Sequence, residues 1–162
     1  MTTFQTSQIQ NFTDALLEHL AARPGLSGVL ITDGPPPASM LQVGEWLMLG
    51  DVTGEQDWYA IDGARKPREE TFEVEGLVSV VQATTAADSG HQGPLNHRAL
   101  AIVAEVEDEL RSAPTQGIGT TGSVAVPYLV VAETSEIRLV KRASDTAREA
   151  AAFFKVKVRC RI

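Results

Sequence analysis

The amino-acid sequence predicts an α+β fold, a mixed and mainly antiparallel β-sheet with two helices packed on one of its faces. Three observations predict it. Two stretches repeat apolar residues at helical spacing, several others alternate apolar and polar residues with a period of two, and their order lacks the regular strand-helix alternation of a doubly wound parallel sheet. At 162 residues, the chain 1–162 has the length of one domain, enough to remove roughly 70% of an unfolded chain's surface from water. No internal repeat and no linker divides it.

The first helix is expected from about Ser7 to Ala22, with Ile9, Phe12, Leu16, Leu17 and Leu20 on one stripe and Arg23-Pro24-Gly25 ending it. Leu26 to Thr32 reads as a short strand, and Asp33-Gly34-Pro35-Pro36-Pro37 as a stiff surface turn, because proline offers no amide to a sheet ladder. Glu45 to Val52 is a second strand. From Thr53 to Pro67 glycine and charge accompany Trp58, Tyr59 and Ile61, and the segment fits either a continuing strand edge or a long projecting loop.

A third strand, Glu69 to Gln82, sets Phe72, Val74, Val78 and Val80 against Glu69, Thr71, Glu73 and Glu75. Past Gly76 both faces turn apolar, so that glycine marks a bulge or a close backbone approach. The loop Ala83 to Gly93 leads to a second helix from Pro94 to Ser112, whose buried face is Leu95, Ala99, Ile102, Val103, Val106 and Leu110. Strands follow at Val124 to Val131, an edge strand by virtue of Pro127, and at Ile137 to Val140, with a turn or short helix at Ser144 to Glu149. In the last strand Phe154, Val156, Val158, Cys160 and Ile162 share one face, and Lys155, Lys157, Arg159 and Arg161 the other.

Composition narrows the function. With 43% apolar and 22% charged residues the chain is an ordinary globular protein. No apolar run approaches bilayer length, and Met1 to Gln10 has neither the basic start nor the apolar stretch of a secretion signal, so no membrane partner and a cytoplasmic site of assembly are expected. A single cysteine, Cys160, excludes an internal disulfide and a multi-cysteine zinc site, and its place on an apolar strand face reads as a small buried hydrophobe. The net charge of -7 disfavours binding through phosphate neutralisation.

The chemical motifs are weak. Gly117-Ile118-Gly119-Thr120-Thr121-Gly122 has the spacing of a dinucleotide loop, but a helix precedes it and a strand follows, the reverse of what places a helix N-terminus against a pyrophosphate. Asp88, His91 and His97 match no standard metal spacing, and solvated side chains are the better reading; only a pocket gathering the histidines with carboxylates would revive an enzyme. No nucleophile elbow occurs. No catalytic activity and no cofactor are therefore expected.

Two surface features remain. The cations of the last strand leave 10 other bases against 21 acids in the rest of the chain. That row is either a docking surface for an acidic partner or DNA, or the cross-strand counterpart of Glu69, Glu73 and Glu75; the second reading is favoured because it needs only that the strands be neighbours. Core packing is the default for Trp46, while Trp58 and Tyr59 fit an interface as well as a core.

Several stretches together resemble a known family: Ala22-Arg23-Pro24-Gly25-Leu26 with Gly28-Val29, the Gly-Pro-Pro-Pro turn, Glu45-Trp46-Leu47 through Leu49-Gly50-Asp51-Val52, Glu55-Gln56-Asp57-Trp58, Arg68-Glu69-Glu70-Thr71, and Val158-Arg159-Cys160-Arg161-Ile162. They are similar to the tail-terminator or tail-completion proteins of long-tailed phages, prophages and gene-transfer particles. The resemblance implies a structural virion protein that forms a homo-oligomeric, hexameric ring on the head-proximal end of the tail tube. Such a ring stops polymerisation of the tail tube protein and offers a surface to the head-tail connector or neck protein, with DNA passing through its lumen without sequence-specific binding. The implied location is the tail or neck of a virion assembled in the host cytoplasm. The implied ring or tube contact is the stretch from Asp51 to Arg68, with Asp51, Trp58, Tyr59, Arg65 and Arg68 as its candidates. A neck or adaptor protein of similar size, or a soluble non-viral protein-binding module, are the alternatives.

Overall fold

A computed structural model describes residues 7–38, 44–58, 68–84, 92–112 and 131–161. Along the chain these form α1 (Ile9–Ala21), a 3-10 turn (Pro24–Leu26), β1 (Leu30–Asp33), β2 (Gly44–Trp58), β3 (Arg68–Ala83), α2 (Gly93–Ser112), β4 (Val131–Ala143) and β5 (Ala147–Arg161). The described strands make one five-stranded sheet in the order β1-β2-β3-β5-β4. β1 runs parallel to β2, and every other neighbouring pair is antiparallel. Both helices lie on one face, and the fold is the expected α+β type.

The two helical stripes meet the apolar row of each central strand. Phe12, Leu16 and Leu20 of α1, and Leu95, Ala99, Ile102, Val103, Val106 and Leu110 of α2, join Leu47, Leu49, Phe72, Val74, Val78, Phe154, Val156 and Val158 in a single buried cluster. Each large apolar side chain removed from water contributes roughly 1.5–3 kcal/mol before the entropic cost of ordering it. The rings of Phe12 and Phe72 meet edge to face at a centroid distance of 5.7 Å, which fixes α1 over the centre of the hairpin.

The observed elements depart from expectation in a few places. Leu26 belongs to the 3-10 turn and plugs the core at 3% exposure; β1 starts only at Leu30. Pro24 at the first position of that turn, with its preset φ, explains the difference. β1 then ends at Gly34, whose φ of +77° suits glycine and whose N–H donates to the Leu49 carbonyl at 2.7 Å.

β2 continues to Trp58, so the part of Thr53–Pro67 that is described is strand. The ladder slips between Leu49 and Val52, where Gly50 and Asp51 together face Glu75 as a bulge. At Ser144 to Glu149 there is neither a helix nor a long turn: the β4–β5 reversal occupies 144–146, and Glu149 is already in strand opposite Val81. Ser144 closes that reversal, its Oγ accepting the Ala147 N–H at 3.0 Å. The expected strand at Val124 to Val131 lies outside the described residues except for Val131.

Candidate interaction surface

The face of the sheet turned away from the helices carries most of the sequence-singled charge. On β5, Lys155, Lys157, Arg159 and Arg161 stand opposite Glu75, Glu73, Thr71 and Glu69 of β3. On its other side β4 supplies Glu136 opposite Lys155 and Glu133 opposite Lys157. The basic row is thus held between two acidic rows, which is the cross-strand arrangement favoured above. Arg159 Nε donates to Glu69 Oε1, and Lys155 Nζ lies 3.4 Å from Glu136 Oε2. Pairs as exposed as these fix register more than they add stability.

Beyond Gly76 the same face becomes apolar, with Trp46, Met48, Leu77, Val81 and Phe153 half-buried on it. Trp46 is therefore not part of the helix-side core, contrary to expectation. Glu45 takes the helix side instead, where its carboxylate accepts from Arg98 Nη2 of α2 at 2.6 Å. The parity of β2 allows only one of the two neighbours to point at the helices, and the ion pair to Arg98 holds Glu45 there.

Asp51 projects from the bulge and is exposed, beside Glu75 and Lys155 along a shallow groove. Trp58 and Arg68 face each other in the ladder as the last described pair of the hairpin. Their side chains, that of Arg161, and the whole of Tyr59 and Arg65 lie outside the described residues. So do Asp88, His91 and the stretch Gly117–Gly122, while His97 is exposed on α2. Among the described residues, no three His, Cys, Asp or Glu side chains come together in a way that could hold a metal ion.

Two polar clusters were not anticipated. Glu70 is 2% exposed. It accepts the Gln8 N–H at the start of α1 at 2.7 Å on one oxygen and Gln56 Nε2 at 2.9 Å on the other. A carboxylate at a helix N-terminus satisfies an otherwise orphaned amide and complements the helix dipole. The Cys160 thiol lies 3.8 Å from the same carboxylate; burial first, and then the charge of Glu70, push it up to about 12. Cys160 is 2% exposed, as a small core hydrophobe. The available signal for Glu70 was its parity, since it shares the phase of Phe72 and Val74 rather than that of Glu69.

The second cluster ties the end of α1 to α2. Arg23 donates to Glu105 Oε2 at 2.7 Å and Glu109 Oε2 at 3.0 Å, and His19 Nδ1 lies 2.9 Å from Glu109 Oε1. Burial acts to raise the Glu109 carboxyl, but the hydrogen bonds from His19 and Arg23 outweigh it and hold the group below its ordinary range. The guanidinium of Arg23 is in turn raised, chiefly by its bond to Glu105. These contacts weld the helical layer together. Among the described residues, they leave the far face and the two edges of the sheet uncovered by the helices.

No family model and no curated protein matches the chain. Among solved structures, the fold is similar to a chain of the virion of a native gene transfer agent particle, with a TM-score of 0.47 and 16% identity over 96% of this chain and 99% of that one.

Proposed function

We propose that this chain is a tail terminator, a non-enzymatic virion subunit that rings the head-proximal end of a tail tube, stops its polymerisation and presents the surface joined by the head. The reading rests on the sequence resemblance set out above, and one structural observation supports it: among the described residues, no strand borders the outer edge of β2 from Asp51 to Asp57, past the end of β1, and Asp51, Thr53, Gly54, Glu55 and Asp57 are exposed. Such an edge suits self-assembly better than ligand capture. The stretch from Asp51 to Arg68, with Trp58, Tyr59 and Arg65, would supply the ring or tube contact. A net charge of -7 keeps such a ring from adhering to DNA in its lumen.

Electron microscopy of particles made with and without the gene tests the proposal. Headless tubes of uncontrolled length are expected without it. Tubes of normal length that fail to join heads would move the protein to the neck, and unaltered infectious particles would defeat the phage-tail reading. Trp58→Ala with Tyr59→Ala should abolish assembly while leaving the fold intact; normal assembly of that variant would remove the hairpin from the interface.

A further inference from the structure

β2, which β1 borders over only part of its length, runs opposite to the outer strand β4, because β2 parallels β5, and β4 opposes β5. A rotation about an axis to which the strands are tilted, as in a barrel, preserves the sense of the strands. It therefore brings the outer edge of β2 in one copy antiparallel to the outer edge of β4 in the next. β1 covers β2 only from Trp46 to Leu49, and its ladder closes at Gly34. Beyond that point no described strand borders β2.

The charges on the two edges are complementary. Asp51 and Glu55 are exposed on β2, four residues apart on the side away from the helices. Arg138 and Arg142 are exposed on β4 with the same spacing and on the same side of the sheet, Arg138 over the Phe153 ring and Arg142 3.5 Å from Glu149. Two β2 edges would instead set acid against acid, which disfavours a symmetric pairing. Ile137, a large apolar side chain at 46% exposure, sits on the β4 edge beside Arg138.

We infer that a second copy of this chain docks here by strand addition, residues 51–55 of β2 pairing antiparallel with residues 138–142 of β4, Glu55 against Arg138 and Asp51 against Arg142. The helix sides of both sheets then coincide, with Gly54 against Leu139. Asp57 falls opposite Glu136, whose charge is already matched by Lys155 at 3.4 Å. The contact is head to tail: it uses two different patches of each copy and closes into a ring when the rotation per subunit divides a full turn. Because β1 blocks the lower half of β2, successive copies are offset along the strands, and the ring closes only with the strands tilted to its axis, as in a barrel. The inference deepens the ring reading above, while its test needs no tail.

Variants of the purified full chain with one added cysteine provide that test, since the one native cysteine, Cys160, is buried. Glu55→Cys protein is mixed at high concentration, under mild oxidation, with protein carrying cysteine at Glu136, Arg138, Val140 or Arg142 in turn. Disulfide-linked dimers with their maximum at Arg138→Cys are expected. No cross-link at any of the four positions, a maximum elsewhere, or efficient linkage of Glu55→Cys to itself would overturn the pairing. In sedimentation, Glu55→Arg should weaken self-association at least tenfold, and adding Arg138→Glu to the same chain should restore it. Lack of restoration also counts against the register. Tail-length phenotypes are scored separately, so failure of this interface and failure of the terminator role are distinguishable.

Discussion

Gly76→Ala tests how the apolar half of β3 is built. Gly76 faces Phe154 in the β3–β5 ladder, and a methyl group added at Gly76 would fall inside the space of the Phe154 ring. That ring is 2% exposed and lodged in the core, so it has no open direction in which to swing. Overpacking of this kind costs roughly 1–3 kcal/mol. Alanine regains about 0.5–1 kcal/mol that glycine loses in a strand through its greater unfolded freedom. A net loss of up to roughly 2.5 kcal/mol follows, or a Tm lowered by up to about 10 °C for a chain of this size. Urea denaturation of Gly76→Ala, Phe154→Leu and the double variant checks the mechanism as well as the magnitude. Phe154→Leu alone should destabilise by leaving a void, yet in the Gly76→Ala background the smaller side chain makes room for the methyl group. The double variant should then be more stable than the sum of the singles by at least about 1 kcal/mol. Additivity within ~0.5 kcal/mol would refute the steric account.

Other expectations follow from the buried polar groups. Glu70→Ala removes an acceptor of the Gln8 N–H and of the Gln56 amide, so it should cost about 1–3 kcal/mol and speed hydrogen exchange in the first turn of α1 more than in α2; uniform exchange would argue against a capping role. Glu109 has a folded-state pKa below its unfolded value. Its contribution is therefore complete above the ordinary carboxylate range and is lost as pH falls through the lowered folded value. Stability curves of the wild type and Glu109→Gln should separate at neutral pH and converge in acid, and parallel curves would contradict this. Cys160, with its thiol pushed up to about 12 and buried, should resist thiol reagents at pH 8 until the protein unfolds, at a rate set by global opening; fast labelling of the native protein would show that the strand end frays.

By itself the sequence determined the local periodicities: the buried stripes of α1 and α2, the alternation of β3 with its change at Gly76, and the two-faced β5 are all as its spacing dictates. Side-chain direction along a helix or strand is a property of neighbours in the chain, so apolar spacing suffices to place those faces. The close approach at Gly76 was legible for the same reason, though the ring that approaches was not. The basic row was visible as a row, whereas its position between the acids of β3 and β4 depends on strand order.

Only the tertiary structure decided the rest. Glu70 is buried because its partners come from positions 62 and 90 residues away, Gln8 and Cys160, and no local pattern encodes such separations. Trp46 faces away from the helices because Arg98, 53 residues distant, holds Glu45 on the other side. Among the described residues, β2 is bordered over only part of its outer edge because β1 pairs over four residues and its ladder closes at Gly34. Strand pairing and the partnering of buried polar groups are non-local choices among many compatible periodic segments. Burial and hydrogen bonding of the whole chain select among them, and the surfaces that remain for a partner are what that selection leaves uncovered.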